Sequence, residues 1–271
     1  MAVLRIGSRG SRLALTQAEQ AAALLGCEVA FVPITTAGDR DRSKPFGEIG
    51  ARGVFVKELE EALLERRIDV AVHSAKDLTA SDPEGLAVGA YLRREDPRDA
   101  LCGAPEVRPG MRIGTASVRR KAQLLALEPS LSIEPLRGNI DTRLRKRRER
   151  GLDAVVLASC GLDRLGLSDE IGLRLEPDVM LPEAAQGALA LQVRKGEEEL
   201  VAHVDDAETR RRVEPERLCV ATIGAGCLAP VGAFHDGETL HALIADDDGA
   251  WVVRRSGDDP VALAHELLAA R

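Results

Sequence analysis

The stretch FVKELEEALLERRIDVAV (residues 55–72) changes its hydrophobic period partway along. Phe55–Arg67 is amphipathic at helical spacing, acidic in its first half and basic at its end, which suits the helix dipole. Ile68–Val72 then reads as a buried strand. The same alternation runs upstream: a strand-like Val3–Ser8, a helical repeat over Leu13–Leu25 stopped by Gly26, and an extended, β-branched Glu28–Ile34. Downstream a second cycle opens near residue 93. Strands are predicted there at Met111–Gly114, Leu131–Leu136 and Asp153–Ala158, and helices at Val118–Leu127 and Ile140–Arg150. Apolar strands separated by helices predict an α/β fold whose sheets are mainly parallel and covered on both faces.

RREDPRD (93–99) consists of charged and turn residues and marks a crossover between two lobes, while Gly187–Val193 is a strand suited to return to the first. The first lobe is therefore expected at 1–92 and 188–206, the second at 93–187. Beyond them the pattern turns α+β, with a helix at Ala207–Ala221, a flexible Gly224-Ala225-Gly226 turn and a hairpin over Val231–Ile244. Trp251–Arg254 adds a strand and Val261–Ala270 a closing helix, so residues 207–271 are expected to form a small third domain. GDRDRSKPFGEIGARG (38–53) is rich in glycine and charge and has no period, which favours a lid over a site.

Composition sets the class. The chain has 271 residues, 45% of them hydrophobic and 30% charged, as in ordinary globular domains. Aromatic residues are only 2%, so the cores must be aliphatic. No apolar run approaches the roughly 18 residues that span a bilayer, and the first residues do not read as a signal peptide. A soluble, cytoplasmic protein is expected. The five cysteines are odd in number without C-x-x-C spacing, and the five histidines show no ligand spacing, so neither disulfides nor a metal site is expected. A net charge of −7 disfavours nucleic acid as a partner.

Arginines recur where a strand gives way to a helix or turn. Arg9 follows the first strand; Arg119 and Arg120 follow the Thr115-Ala116-Ser117 link; Arg137 ends another strand, and Arg143 sits early in the next helix. Strand C-termini line the ligand crevice of open α/β sheets, and arginine's planar fork grips anions there. A polyanionic ligand in a cleft between the lobes follows, with phosphates and carboxylates equally admissible. No nucleotide-binding glycine motif follows a strand.

HSAKD (73–77) after a buried strand, with GVFVKELE (53–60), resembles the porphobilinogen deaminase family. So do RIGSRGSRLALTQA (5–18), REDPRDA (94–100), GTASVRR (114–120), LRGNIDTRL (136–144), GLDRLGL (161–167), QGALAL (186–191) and GAGCLAPVG (224–232), in the family's order over nearly the whole chain. The resemblance implies two lobes similar to periplasmic binding proteins and a small C-terminal α+β domain. It implies a dipyrromethane cofactor joined through a thioether to Cys227, and a monomeric transferase of haem and porphyrin biosynthesis. Four porphobilinogen molecules would add in turn with loss of ammonia, and hydrolysis would release hydroxymethylbilane.

By the same resemblance Asp77 is the catalytic carboxylate. An ordinary Asp ionises near 3.9 and so accepts pyrrole N–H bonds and steadies a developing cation at neutral pH. Arg9, Ser11, Lys76, Thr115, Ser117, Arg119, Arg120, Arg137, Arg143 and Arg164 would bind the acetates and propionates of primer and substrate. Arg94, Gln17, Gln186 and Gly187 would lie close by, with Phe55 packed on a ring. Ser11 and Thr115 also suit helix capping, and His73 a core hydrogen bond.

The chain departs from the family pattern at Glu48 and Arg52 in the lid loop, at Leu78-Thr79 after the Lys-Asp pair, and at LPEAAQG (181–187). Two other readings compete. A two-lobed anion-binding or solute-binding module without catalysis explains the arginines but leaves Cys227 idle. A nucleic-acid binder would use the Arg145–Arg150 run, against the acidic total.

Overall fold

The computed structural model describes residues 3–36, 56–79, 81–224 and 230–270. The stretch 38–53, expected to be a lid, lies outside the described residues, as do Phe55 and Cys227. In chain order come β1 (Leu4–Arg9), α1 (Arg12–Leu25), β2 (Val29–Ile34), α2 (Lys57–Leu64), β3 (Val70–Ser74) and β4 (Leu86–Tyr91). Then follow β5 (Asp99–Cys102), β6 (Arg112–Gly114), α3 (Val118–Leu127), β7 (Ser132–Glu134), α4 (Ile140–Glu149), β8 (Ala154–Ala158), α5 (Ser159–Arg164) and β9 (Ile171–Leu175). The last elements are β10 (Leu189–Arg194), α6 (Ala207–Ile223), β11 (Val231–His235), β12 (Leu240–Ala245), β13 (Val252–Gly257) and α7 (Pro260–Ala269).

Two compact units result, residues 1–95 with 188–211, and 96–187 with 212–271. The first holds a five-stranded sheet in the order β2-β1-β3-β10-β4. Strand alternation divides its core between the two faces. Ile6, Val70, Leu191 and Val193 pack with Ala18 and Ala21 of α1, while Ala71 packs with Leu59, Ala62 and Leu63 of α2. Gly7 faces α2, where a Cβ would come within 2.3 Å of Ile68 Cδ1; the missing side chain lets the helix side close on the sheet.

The second unit contains a five-stranded sheet, β7-β6-β8-β5-β9, and a three-stranded one, β11-β12-β13. Ala154 and Val156 of β8 pack with Leu124 of α3, and Val155 and Leu157 with Leu144 of α4 and Leu162 of α5. The smaller sheet buries Ala233, Leu240 and Ala242 against α6 and α7. Its Leu243 and Ala245 meet Ala122 of α3 and Leu181.

The α/β class is observed, but the sheets are mixed rather than mainly parallel. In the first, β1 pairs parallel with β2 and β3, while β10 runs antiparallel to β3 and β4. In the second, β6 pairs parallel with β7 and β8, while β5 runs antiparallel to β8 and β9. The parallel pairs join through helical crossovers within one sheet; β5 and β10 are each entered from the other unit's chain and escape that constraint. The helix predicted at Phe55–Arg67 ends at Leu64, because Arg66 takes a left-handed φ of 57° and Arg67 N donates back to Ala62 O. The strand predicted at Ile68–Val72 consequently begins at Val70 and runs to Ser74.

Candidate active site

In the first unit, β1 delivers Arg9 and then Ser11, which caps α1: its Oγ accepts from Ala14 N at 3.2 Å. The hydroxyl proton stays available to a ligand. Gln17, buried on α1, donates from Nε2 to Ser74 Oγ at 3.0 Å. Ser74 is the last residue of β3, and Ala75–Asp77 then make one 3-10 turn. Ala75 N donates to Ala188 O at 3.0 Å, and Leu78 N closes the turn on Ala75 O. Lys76 and Asp77 are thus held half-buried at the C-terminal end of β3, the catalytic edge of such sheets. Just before them, His73 meets Gln192 Oε1 at 3.1 Å, and Gln192 Nε2 donates to Glu60 at 3.3 Å. His73 is a core hydrogen-bonding residue, as its position in the strand suggested. Arg94, beyond β4, donates its amide to Thr209 Oγ1 at 2.8 Å.

In the second unit the same edge is cationic. After β6, Thr115 Oγ1 accepts from Ser117 N at 3.2 Å, and Ser117 caps α3 by accepting from Arg120 N. Arg119 and Arg120 occupy the first turn of α3, where they oppose the helix dipole. Their counter-ion is Asp99, the first residue of β5. Asp99 Oδ2 accepts from Arg119 Nη2 at 2.8 Å. Asp99 Oδ1 accepts from Arg120 Nη2 at 2.8 Å and from Gln186 Nε2 at 2.8 Å. All four side chains are buried. Burial raises the Asp99 pKa, but the two guanidiniums and Gln186 outweigh it and hold the carboxyl well below the usual range.

After β7, Gly138 takes a φ of 126°, with a Cβ position only 2.6 Å from Thr142, so only glycine suits this turn. Asn139 caps α4, accepting from Thr142 N at 2.9 Å. Arg143 then folds back, its Nε donating to Gly138 O at 2.6 Å, and among the described residues it has no ion pair. Burial, with Arg120 and Arg137 nearby, pushes its guanidinium down to about 10. At the end of α5, Arg164 Nη2 donates to Gly187 O at 2.8 Å. Arg119 Nε is buried without a hydrogen-bond partner.

The structure therefore groups Thr115, Ser117, Arg119, Arg120, Arg137, Arg143, Gln186 and, through Gly187, Arg164 in one unit. It groups Gln17 with the Lys76-Asp77 turn in the other. Sequence reasoning missed Asp99, although REDPRDA contains it; the apolar Ala100-Leu101-Cys102 that follows is the signal of a strand beginning there. It also missed Glu216, fully buried on α6, which accepts from Ala185 N at 2.6 Å and from His235 N at 2.8 Å. Ala185 takes a left-handed φ of 63° beside Gln186, so Glu216 steadies that strained turn.

A desolvated Arg143 lacking a carboxylate and an orphaned Arg119 N–H are what a ligand rich in carboxylates requires, and dipyrromethane carries acetate and propionate groups. Among the described residues no cluster of His, Cys, Asp or Glu could hold a metal ion, and no helix is long and apolar enough to cross a membrane.

Residues 4–202 match the family described as porphobilinogen deaminase, dipyromethane cofactor binding domain. The chain is 45% identical to a porphobilinogen deaminase of Roseiflexus castenholzii, covering 98% of this chain and 95% of that one. It is 44% identical to that of Syntrophotalea carbinolica, covering 97% and 89%. Among solved structures, the second substrate binding domain of a putative amino acid ABC transporter from Streptococcus pneumoniae aligns with a TM-score of 0.45 and 12% identity, covering 74% and 90%.

Proposed function

The chain belongs to the porphobilinogen deaminase family, and from that premise we propose how its own residues carry the reaction. The enzyme is a hydroxymethylbilane synthase acting on porphobilinogen, with dipyrromethane as cofactor. Dipyrromethane, when bound, supplies the free pyrrole carbon from which the chain grows. Cys227, in the sequence between α6 and β11, anchors it by a thioether. Residues 207–271 are the domain that carries it, and 38–53 the lid.

Asp77 accepts pyrrole N–H bonds, steadies the positive charge that develops on the incoming ring as ammonia departs, and collects the ring proton afterwards. Arg119, Arg120, Arg137, Arg143 and Arg164, with Thr115 and Ser117, grip acetates and propionates. Arg9, Ser11 and Lys76 do so in the first unit, with Arg94 and Gly187 beside the ligand and Phe55 against a ring. Gln17 acts through Ser74, keeping the Asp77 turn in place. The protein works as a cytoplasmic monomer and binds no nucleic acid. The basic run on α4 is partly neutralised by its own neighbours, in support of that: Arg148 pairs with Glu170, Arg145 with Glu149, and Lys146 donates to Arg137 O.

The observation that carries this reading is Arg143, a half-buried guanidinium beside Arg120 and Arg137 that has no ion pair among the described residues. The test is the intact mass of the denatured protein beside Cys227→Ala, before and after incubation with porphobilinogen. A dipyrromethane adduct on the wild type and none on the variant is expected. A wild type that gains no adduct behaves as a solute-binding module would and overturns the reading.

A further inference from the structure

An acid at the cationic edge of the second sheet competes with the substrate's own carboxylates for the same arginines, so its presence needs a reason. Sheet direction explains how it arrives. β5 runs antiparallel to β8 with Asp99 opposite Ala158, which places the first residue of β5 where β8 ends. The parallel strands β6 and β8 bring α3 and α5 to that edge; the antiparallel strand brings a carboxylate among them.

The hydrogen bonds say what it does there. Arg120 is held on Asp99 Oδ1 through Nε and Nη2, at 3.2 and 2.8 Å, and on Val156 O through Nη1 at 3.0 Å. Arg119 is held on Asp99 Oδ2 through Nη2 and on Leu181 O through Nη1. A planar guanidinium tied on two sides cannot turn, so its remaining N–H groups keep fixed directions. One of them, Arg119 Nε–H, is buried and unpartnered. The pairing is also a poor device for stability alone. Buried ion pairs contribute little net stability, and this one sets two guanidiniums against a single directly bonded carboxylate.

We propose that Asp99 is a positioning residue: it fixes Arg119 and Arg120 side by side so that the N–H groups left over hold carboxylates of the dipyrromethane and the growing chain. Gln186 acts with it, donating to Asp99 Oδ1 and to Pro97 O and so fixing the carboxylate itself. The inference rests on the functional reading above.

Asp69 offers the control. It also binds two arginines, Arg5 at 2.7 Å and Arg194 at 3.2 Å, but at the opposite end of its own sheet, before β3 begins. The experiment compares Asp99→Asn, Asp69→Asn and wild type as full chains, measuring the fraction carrying dipyrromethane after incubation with porphobilinogen, then KM and kcat of the loaded protein. For Asp99→Asn, loading is expected to fall by about ten-fold or more, with KM of the remainder raised about ten-fold and kcat nearly kept, as loss of charge-assisted contacts implies. Asp69→Asn should load as wild type does. A folded Asp99→Asn that loads fully with unchanged KM overturns the proposal, as does an equal loss in Asp69→Asn. If Asp99→Asn does not fold, Gln186→Met decides: a KM raised about three-fold or more at steady kcat supports the role, and an unchanged KM overturns it. A wild type that never loads overturns the functional reading itself, and this inference with it.

Discussion

Asp69 and Asp99 are chemically alike and do opposite work. Each carboxylate binds two arginines, and in each the arginines draw its pKa down, Asp69 to about 2 and Asp99 well below the usual carboxylate range. Asp69 lies at the end of its sheet where parallel strands begin; its contacts with Arg5 and Arg194 tie β1, β3 and β10 together there. Asp99 lies where parallel strands end, among helix caps and the two arginines of the first turn of α3. An ion pair's local geometry does not reveal its role; the sheet edge that bears it does. The C-terminal edges differ in turn between the units. One offers a half-buried carboxylate, Asp77, on a tight turn, and the other a set of guanidiniums of which two, Arg119 and Arg120, share one directly bonded carboxylate.

The sharpest way to break that division is Asp77→Ala. If the first edge performs the chemistry and the second only holds carboxylates, turnover falls by about 10³-fold or more while the dipyrromethane mass stays on the protein. Single-turnover assays with porphobilinogen and intact mass on the same sample check both halves. Near-normal turnover sinks the role of Asp77, and lost loading would merge the two edges into one function.

Arg143→Met probes the other edge, and should separate stability from binding. A folded-state pKa of about 10 against a free value of 12.5 means that the charged form is penalised on folding. The penalty is on the order of 1–3 kcal/mol, present at every pH below about 10 and fading as pH rises toward the free value. Replacing the cation should therefore raise Tm by a few degrees while raising KM for porphobilinogen about ten-fold or more. A lower Tm would show that the Arg143 bond to Gly138 O outweighs the cost of burying its charge, and an unchanged KM that it holds no carboxylate.

Much of this arrangement was legible in the residues. The helix predicted at Val118–Leu127 has those bounds, and Ala207–Ala221 extends to Ile223 through Pro215. Arginines at strand ends were readable because strand, turn and cap residues recur in that order. β4, β5 and β9 were not, for a common reason. They run antiparallel to a neighbour that arrives from far along the sequence, so no strand-helix-strand period announces them. β5 is only four residues long and opens on a charge. Asp99 is buried by tertiary partners at positions 119, 120 and 186, and no local pattern predicts an acid there. The resemblance named Gln17, but its bond to Ser74, across 57 residues, was out of reach for the same reason.

Asp69→Asn should have the smallest functional effect and a defined pH signature. The Arg5 side chain, its backbone amide and Arg194 lower the Asp69 pKa to about 2 against the ordinary 3.8. For an acid whose folded pKa is depressed, the stabilising contribution is complete above the unfolded value and is lost as pH falls through the folded one. Its size is roughly 2 kcal/mol at neutral pH, since a tenfold change in acid dissociation constant corresponds to about 1.4 kcal/mol. Urea melts of wild type and Asp69→Asn should thus differ by about that amount near pH 7 and converge as pH falls from about 4 toward 2. Dipyrromethane loading and KM should be the same for both proteins at neutral pH. A gap that persists undiminished at low pH would mean the pair acts through packing rather than charge. Altered loading would mean that the edge where strands begin reaches the site after all, and the contrast with Asp99 would fall.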